Sequence, residues 1–520
     1  MLQSQSLKWN FAGNMVGRLW LGVMSLVTVP VFVHLLGTNA FGIVSLVATF
    51  QSVLALLDFG LAGTANREVA TLRAAGNRGQ IADTVRTFEV IYWTVAVVIG
   101  LGFAGLSHWL ANSWVPQQAL PPADIQMAIL LGGLAFAARW PVALYTGILQ
   151  GLERQVVQNG ILMVTATTRA GLTILALLFV SRTVYCFLVT QALANGLEVL
   201  LSGYVARRLA LAGNKGRFDL AVVRRVWRFA VGFNLVGTFG MLVVGAPQLL
   251  ISKLLPLVEL TYYSVASTVT GALQVVSLAA QTSLFPRLSY CWQQQDLGQM
   301  RRLYLAGLRF TVFACVAPAM VLCFFPSEVL TLWTRSPELV NRAQGVLPIL
   351  ALAILVNCAV GTPYNVVLAS GHTRLAVLVN AGALPFMAVG CFLAIRALGI
   401  CGAAWCWLAF NCLCFIAYGR YCATRAFPAG QRQLLYGFPV EFLLVGAGVS
   451  VISKLLLPTH LGIIVLALWL FVTVILAYLA GILTLKREER LVLAAALRQY
   501  GFQVRTLFGK TVRGAAPVAL

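Results

Sequence analysis

Four charged side chains interrupt apolar stretches that are long enough to cross a bilayer: Asp58, Arg139, Arg169 and Glu198. A charge near mid-membrane costs at least ~2.5–3.5 kcal/mol on insertion scales, so such residues are usually kept in a protein-lined or wet interior. Guanidinium groups offer paired N–H donors to anionic oxygens, and a buried carboxyl group without a partner can become a proton site. These residue types predict anion binding and ion coupling within a membrane.

The two arginines are spaced around a short polar turn. Arg139 precedes Glu153 by 14 residues and Arg169 follows it by 16. At 1.5 Å per residue both lie about 20–25 Å from that turn, at one deep level. An anion could lie between them; the alternative is a structural ion pair with Asp58 or Glu198. Trp140-Pro141, directly after Arg139, is predicted to break the helix.

The acids also fall at one level. Asp58 precedes Arg67, and Glu198 precedes Arg207, by nine residues, or about 13 Å of helix. Each could couple ion flow to transport, or form an ion pair with an arginine.

The remaining charges near spans are predicted to be less deep. Arg18, near the cytoplasmic start of the first predicted span, either contributes to the site or extends back to the headgroups. Arg309 is interpreted as an interface residue, and Glu89 and Glu441 as charges at helix starts.

The composition indicates that membrane-spanning helices position these residues. The 520 residues are 60% hydrophobic and 10% charged, with a mean hydropathy of +0.87, which predicts an all-α polytopic membrane protein. The first apolar run lacks a cleavage site and is expected to remain as helix 1. Fourteen transmembrane helices are predicted, at 12–36, 40–62, 88–108, 126–150, 156–180, 183–206, 229–254, 261–285, 304–326, 343–369, 375–396, 399–420, 437–456 and 460–484.

The basic residues follow this topology. With the N-terminus inside, 27 of the 37 Lys and Arg fall in cytoplasmic segments and 6 in outer ones, so both termini are predicted to be cytoplasmic. Residues 207–228 and the tail 485–520 are the basic segments that could lie on anionic lipid, or serve only as topology anchors. The net charge of +22 therefore does not indicate nucleic acid.

The sequence shows no motif for a metal or cofactor. The eleven cysteines lie mostly within predicted spans, where they act as small apolar residues, and no metal-ligand spacing or phosphate-binding nucleotide loop is present.

An internal repeat divides the chain. Trp9-Asn10-Phe11-Ala12 is echoed at 227–230, Pro30 at Pro247, Arg67 at Arg287 and Gly79-Gln80 at 298–299, with nearly the same offset at all four landmarks. The predicted units are an N-lobe of six helices (1–206), a basic connector (207–228), a C-lobe of six helices (229–420), two further helices (421–484) and the tail (485–520).

Several of these motifs resemble a known family. Asp58-Phe59-Gly60-Leu61 continuing to Arg67-Glu68-Val69-Ala70, with Phe41-Gly42 at the outer start of that helix, is similar to polysaccharide transporters of the O-antigen flippase type. These belong to the multidrug/oligosaccharidyl-lipid/polysaccharide (MOP) exporter superfamily. Leu149 to Arg154 and Phe285 to Leu288 also fit, so the resemblance covers helices 1–12.

The resemblance implies a V-shaped, two-lobed flippase of the bacterial inner membrane. Such a protein would move a polyprenyl-diphosphate-linked oligosaccharide, such as an O-antigen, capsule or exopolysaccharide unit, to the outer leaflet by alternating access. It would use H⁺, Na⁺ or the membrane potential rather than ATP, and could contact polymerase or glycosyltransferase partners. Arg139, Arg169 and Arg18 are then predicted to bind the diphosphate, Asp58 and Glu198 to couple ions or form ion pairs, and Arg67 and Arg287 to form a cytoplasmic gate.

Three alternatives remain open. A multidrug or cation antiporter of the superfamily would favour acids in its cavity, whereas deep cations outnumber deep acids here. A peptidoglycan-precursor flippase shares the cationic cavity. A membrane glycosyltransferase or polymerase generally needs a large outer loop or acids in an early one, and the first outer turn, 37–39, has none. The deep charges concentrate in the first lobe, so that lobe is predicted to bind the diphosphate and the second to line the glycan path.

Overall fold

The computed structural model describes residues 2–58, 60–116, 121–211, 213, 215–224, 235–427, 438–458 and 462–485. In these residues the chain forms helices and turns, and no strand. Among the residues described, eleven helices are long and apolar enough to cross a membrane, and two shorter apolar ones span Thr38–Leu54 and Phe239–Leu254. The predicted helical membrane protein is therefore confirmed.

The first half of the chain forms eight helices that pack on one another. They are α1 (Leu2–Leu36), α2 (Thr38–Leu54, followed by a 3-10 turn to Asp58), α3 (Leu61–Ala74), α4 (Arg78–Trp109), α5 (Pro122–Arg139), α6 (Val142–Gly151), α7 (Gln155–Phe179) and α8 (Val184–Leu211). Extensive contacts join α5 to α8, α1 to α7, α7 to α8, α3 to α6 and α4 to α5. We call α1–α8 the first lobe.

The second half repeats this pattern. Its helices are α9 (Leu235–Leu254), α10 (Leu257–Gln293), α11 (Leu297–Phe324), the short α12 (Pro326–Thr334) and α13 (Pro337–Ala343), α14 (Leu347–Ala369), α15 (Thr373–Leu398) and α16 (Ile400–Tyr421). The main contacts are α14 with α16, α10 and α11, and α9 and α16 with α15. We call α9–α16 the second lobe; α17 (Val440–Leu455) and α18 (Ile463–Thr484) pack on α11.

The helix starts agree with the repeat seen in the sequence. The starts of α4 and α11 are separated along the chain by the same distance as the starts of α2 and α10. Both α4 and α11 have an acceptor side chain at the N-cap: Asn77 Oδ1 accepts from the Gln80 amide at 3.2 Å and Asp296 Oδ1 from the Gln299 amide at 2.9 Å. Such caps satisfy amides that the first helical turn leaves without partners. The Gly79-Gln80 echo thus marks equivalent helix starts.

Two predicted spans are broken helices. Arg139 ends α5 and Val142 begins α6, because Pro141 lacks an amide proton and its ring clashes with the preceding turn. This break is confirmed. The span 40–62 is also interrupted: Gly60 adopts a left-handed φ of +72°, which glycine tolerates best, and α3 begins after it.

Three boundaries drawn from the sequence are wrong. Arg67 and Glu68 lie inside α3 rather than in a loop. Glu89 lies eleven residues inside α4 rather than at its start. Arg207 belongs to α8, which ends at Leu211. In each case the helix continues past the apolar run, because the headgroup region tolerates polar side chains on a continuous helix.

The connector and tail are only partly described. Arg217 donates its amide to Asp83 Oδ1 at 2.7 Å and Asp219 donates its amide to Thr87 Oγ1 at 3.0 Å, so this segment of the connector crosses the start of α4. Val222 is buried. Residues 225–234 and 486–520, including most of the predicted lipid-binding surface, lie outside the described residues.

The lobes meet closely where α2 and α10 begin. A Cβ at Gly42 would lie 2.5 Å from the Leu257 carbonyl oxygen, so a glycine is needed at this crossing. Glu338 Oε1 accepts from Tyr262 Oη at 2.7 Å and from Thr38 Oγ1 at 3.2 Å, and so joins both lobes. The two lobes are therefore bonded together at this end of the molecule.

Candidate functional site

The break in span four places Arg139 at the end of α5, facing α8. Its Nε donates to Glu198 Oε2 at 2.9 Å and its Nη2 to Glu198 Oε1 at 3.2 Å. This two-point geometry fixes the guanidinium plane more firmly than a single bond would. Glu198 is 3% exposed and the Arg139 side chain 38% exposed, so the carboxylate is held inside the lobe while part of the guanidinium remains accessible.

Arg169 approaches the same carboxylate from α7. Its Nη1 lies 3.7 Å from Glu198 Oε2 and donates to Asn195 Oδ1 at 3.2 Å. Asn195 is oriented in turn by its own donation to the Ala135 carbonyl at 3.1 Å. The Arg169 side chain is 21% exposed. Two arginines thus share one carboxylate, and the cluster carries one excess positive charge.

Asp58 does not pair with these arginines. Its Oδ1 accepts a short hydrogen bond from the Tyr92 hydroxyl, and its Oδ2 accepts from the Ala62 amide at 3.3 Å. Glu198 therefore forms the ion pair that the sequence allowed for either acid. The Asp58 carboxylate is instead held by a phenol and by the first turn of α3.

A second buried acid, Glu89, was missed as an interacting residue. Its Oε1 accepts from Arg207 Nε at 2.6 Å and Tyr145 Oη at 3.3 Å, and its Oε2 from Arg86 Nη1 at 3.4 Å. Arg207 Nη2 also donates to Tyr145 Oη at 3.2 Å. The apolar residues Ile81, Val85, Phe88 and Tyr92 recur at helical spacing on the buried side of α4. That periodicity was the available signal that the helix extends to Arg78 and buries Glu89.

The other predicted site residues lie apart. Arg18 is exposed on α1 and lines a small crevice of about 110 Å³ against Val275 and Thr282 of α10. Arg67 and Arg287 are both exposed, on α3 and α10. Their assignment to a diphosphate site and a gate remains a prediction.

Arg309 forms an ion pair, and its place at the membrane interface stays a prediction. Its Nη1 contacts Glu441 Oε1 at 2.5 Å, joining α11 to the first turn of α17.

The second lobe has neutral side chains in the corresponding region. Gln274 Nε2 donates to Asn357 Oδ1 at 3.2 Å, and Asn357 Nδ2 donates to Asn411 Oδ1 at 2.7 Å. Asn365 Nδ2 donates to the Gln281 carbonyl at 3.2 Å. In the part of the chain that the structure describes, no three His, Cys, Asp or Glu side chains gather as a metal site would require.

Two sequence families match the chain. The model of the family described as polysaccharide biosynthesis protein matches residues 7–292, and the MatE family model matches residues 239–393. A Shigella flexneri protein named "Putative O-antigen transporter" is 22% identical over 406 residues, covering 77% of this chain and 92% of that protein.

Solved structures share the fold at low identity. An inward-facing multidrug resistance MATE family transporter of the MOP superfamily gives a TM-score of 0.65 at 13% identity, over 81% of this chain and 98% of that one. The lipid II flippase MurJ, in an inward closed conformation, gives a TM-score of 0.63 at 12% identity, over 89% of this chain and 96% of that one. The chain is thus a multi-pass membrane protein that belongs to the polysaccharide biosynthesis protein family, and its fold is similar to that of a MOP-superfamily transporter.

Proposed function

We propose that this protein is a flippase that moves a polyprenyl-diphosphate-linked oligosaccharide from the inner to the outer leaflet of the bacterial inner membrane. The observation that carries the proposal is the cluster of Arg139 and Arg169 on the single carboxylate of Glu198. Its excess positive charge, with both guanidiniums partly accessible, suits a diphosphate better than an organic cation. The family membership supports a lipid-linked substrate.

The proposed architecture has fourteen spans. The eleven long apolar helices and the two shorter ones account for thirteen, with α2 and α3 forming one crossing, and α17 provides the fourteenth. The first and second lobes form the two arms of a V, with the 207–228 connector and both termini in the cytoplasm. Rocking of the lobes exposes the cavity alternately to the two sides.

The charges have separate roles in this scheme. Arg139 and Arg169 bind the diphosphate, and Glu198 neutralises and orients them when the cavity is empty. Arg18, at the boundary between the lobes, contacts the diphosphate as it passes. Asp58, held by Tyr92, is the candidate for H⁺ or Na⁺ coupling. The exposed Gln274 and the half-buried Asn357, which the buried Asn411 holds in place, line the glycan path in the second lobe.

The first test is genetic. The gene is deleted in its host and complemented with wild type, with Arg139→Ala plus Arg169→Ala, or with Arg374→Ala plus Arg420→Ala, two exposed arginines of the second lobe, as a matched control. We expect wild type and the control to restore surface polysaccharide. The double variant should leave polyprenyl-linked units on the cytoplasmic side, at normal protein levels in the membrane.

A second variant separates anion binding from structural support. Arg139→Gln with Glu198→Gln removes one charge of each sign and keeps a side-chain hydrogen bond between α5 and α8. Loss of transport in a stably folded protein supports anion binding by Arg139. Unchanged surface polysaccharide in the deletion strain, together with greater sensitivity to cationic drugs, would replace the flippase by an antiporter.

A further inference from the structure

A groove in the first lobe, between α4 and α8, has no role in the proposed transport path. It consists of two adjoining pockets of about 620 Å³ and 480 Å³ that share Trp93. Its walls come from α4 and α8, with Tyr145 of α6 at its base. We call it the α4/α8 groove.

One end of the groove is basic. Arg207 and Arg208 near the end of α8 line the larger pocket, and Arg86 of α4 lines the smaller. Among the described residues, Glu89 is the one acid that lines either pocket, and its side chain is only 5% exposed. Three cations against one buried acid leave this end with a net charge of +2.

Glu89 arranges the cations rather than cancelling them. It accepts from Arg207 Nε at 2.6 Å, while Arg207 Nη2 donates to Tyr145 Oη at 3.2 Å. A guanidinium carries five N–H donors, so these two bonds fix its plane and leave further donors for a ligand. The Arg207 side chain is 46% exposed and that of Arg86 55% exposed. A rigid, accessible pair of guanidiniums suits phosphate oxygens.

The other end of the groove is apolar. From Trp93 the lining continues along Val97 and Val98 of α4, and Leu200 of α8 faces the larger pocket. These side chains are exposed, Val98 at 62% and Leu200 at 72%. Trp93 and Tyr204 lie at the boundary between the basic and apolar ends, the position that aromatic side chains favour at a membrane interface.

The change from a basic to an apolar lining along the α4/α8 groove matches one kind of molecule. A phosphate at the basic end, aromatic rings at the glycerol level and acyl chains along valine and leucine describe an anionic phospholipid. We propose that the α4/α8 groove is a specific site for an anionic diacyl phospholipid, with Arg86, Arg207 and Arg208 as its phosphate ligands. Basic pockets between helices at the membrane surface are suited to such headgroups.

The test uses the full chain purified in neutral phosphatidylcholine nanodiscs. Phosphatidylglycerol is titrated in, and its binding is followed by native mass spectrometry and by the rise in the thermal unfolding midpoint. Arg208→Gln should weaken binding about fivefold, and Arg86→Gln plus Arg208→Gln about 25-fold. Arg420→Gln, an exposed arginine at the same end of α16, is the matched control and should bind as wild type does. Arg207 stays unchanged because it holds the buried Glu89.

Three results would overturn the proposal. The first is equal phosphatidylglycerol binding by wild type and the double variant, and the second is equal binding of phosphatidylcholine. The third is protection by inorganic diphosphate, or displacement by a substoichiometric polyprenyl diphosphate, which would make the groove a phosphate or substrate-loading site. Surface polysaccharide in the complemented strain is scored separately, so failure here leaves the flippase proposal standing.

Discussion

The two lobes have the same helix arrangement but different buried polar groups. In the first lobe, α5, α7 and α8 bring Arg139, Arg169 and Glu198 together. In the second, α14 and α16 bring Asn357 and Asn411 together at 2.7 Å. The repeat makes these places equivalent: counted from the starts of α8 and α16, Asn195 corresponds to Asn411. A common architecture therefore carries charge on one side and neutral amides on the other.

The correspondence extends along the helices. Glu198 corresponds to the buried Cys414, and Arg139, counted back from the ends of α6 and α14, corresponds to Asn357. Counted from the starts of α4 and α11, Glu89 corresponds to Leu308 and Tyr92 to Thr311. Counted from the starts of α8 and α16, Arg207 corresponds to Ala423. The fold itself therefore does not require these charges, since the second lobe forms the same helices without them.

The largest expected effect comes from removing the shared carboxylate. Glu198→Ala leaves Arg139 and Arg169 close together without their counter-ion, which should cost about 3–5 kcal/mol of unfolding free energy. Cys414→Ala, the equivalent change in the second lobe, should cost about 1 kcal/mol because it removes one small apolar group. Denaturant midpoints of the purified variants measure both. Similar costs for the two would mean that the cluster has no special role in stability.

Converting a first-lobe pair into its second-lobe counterpart should be tolerated better than breaking it. Arg207→Ala leaves the buried Glu89 carboxylate without its main partner and should destabilise by about 2–4 kcal/mol. Adding Glu89→Leu gives both positions the residues of the second lobe, Ala423 and Leu308. The double variant should therefore recover most of the lost unfolding free energy. A double-mutant cycle of unfolding midpoints gives the coupling energy. A purely additive cycle would contradict the pairing seen in the structure.

The hydrogen bond between Tyr92 and Asp58 should contribute somewhat less unfolding free energy than the pair of Arg207 and Glu89. Tyr92→Phe removes the hydroxyl that donates to Asp58 and leaves a carboxylate oxygen without that donor, at a cost of about 1–3 kcal/mol. Thr311→Val at the equivalent position of α11 should cost about 1 kcal/mol or less. If Asp58 couples ions, Tyr92→Phe should also shift the pH dependence of transport in vesicles, whereas Thr311→Val should not. An unshifted pH profile would remove the reason to assign Asp58 to coupling.

Much of the fold could be predicted from the sequence because membrane helices have a strong compositional signal. The apolar runs predicted where the helices lie, and the nearly constant offset of the repeat paired Gly79-Gln80 with Gly298-Gln299, which the structure places in the first turns of α4 and α11. Apolar runs report only the lipid-facing part of a helix, however. That is why the apolar run places the start of α4 near residue 88 instead of Arg78, and why it does not predict the short α12 and α13.

The site was predictable only as a set of residue types. Helical rise predicted that Asp58 and Glu198 lie at one depth along the membrane normal, but depth says nothing about direction around the helix axis. The direction decides that Glu198 receives both arginines and that Asp58 receives Tyr92 instead. Glu89 and Arg207 meet across 118 residues of sequence, and no local pattern in either segment names the other as its partner.

The smallest expected effect concerns the amides of the second lobe. Replacing both Asn357 and Asn411 by Leu removes a donor and its acceptor together, so neither is left buried without a partner, and the net change in unfolding free energy should be about 1 kcal/mol or less. Asn357→Leu alone should cost more, because the Asn411 carbonyl oxygen then loses its 2.7 Å donor. Denaturant midpoints separate the two cases. If the double variant keeps its stability but exports less polysaccharide, the amides act on the glycan. If stability and export are both unchanged, the second lobe contributes to transport through its shape alone. Polar recognition of the substrate then lies in the first lobe.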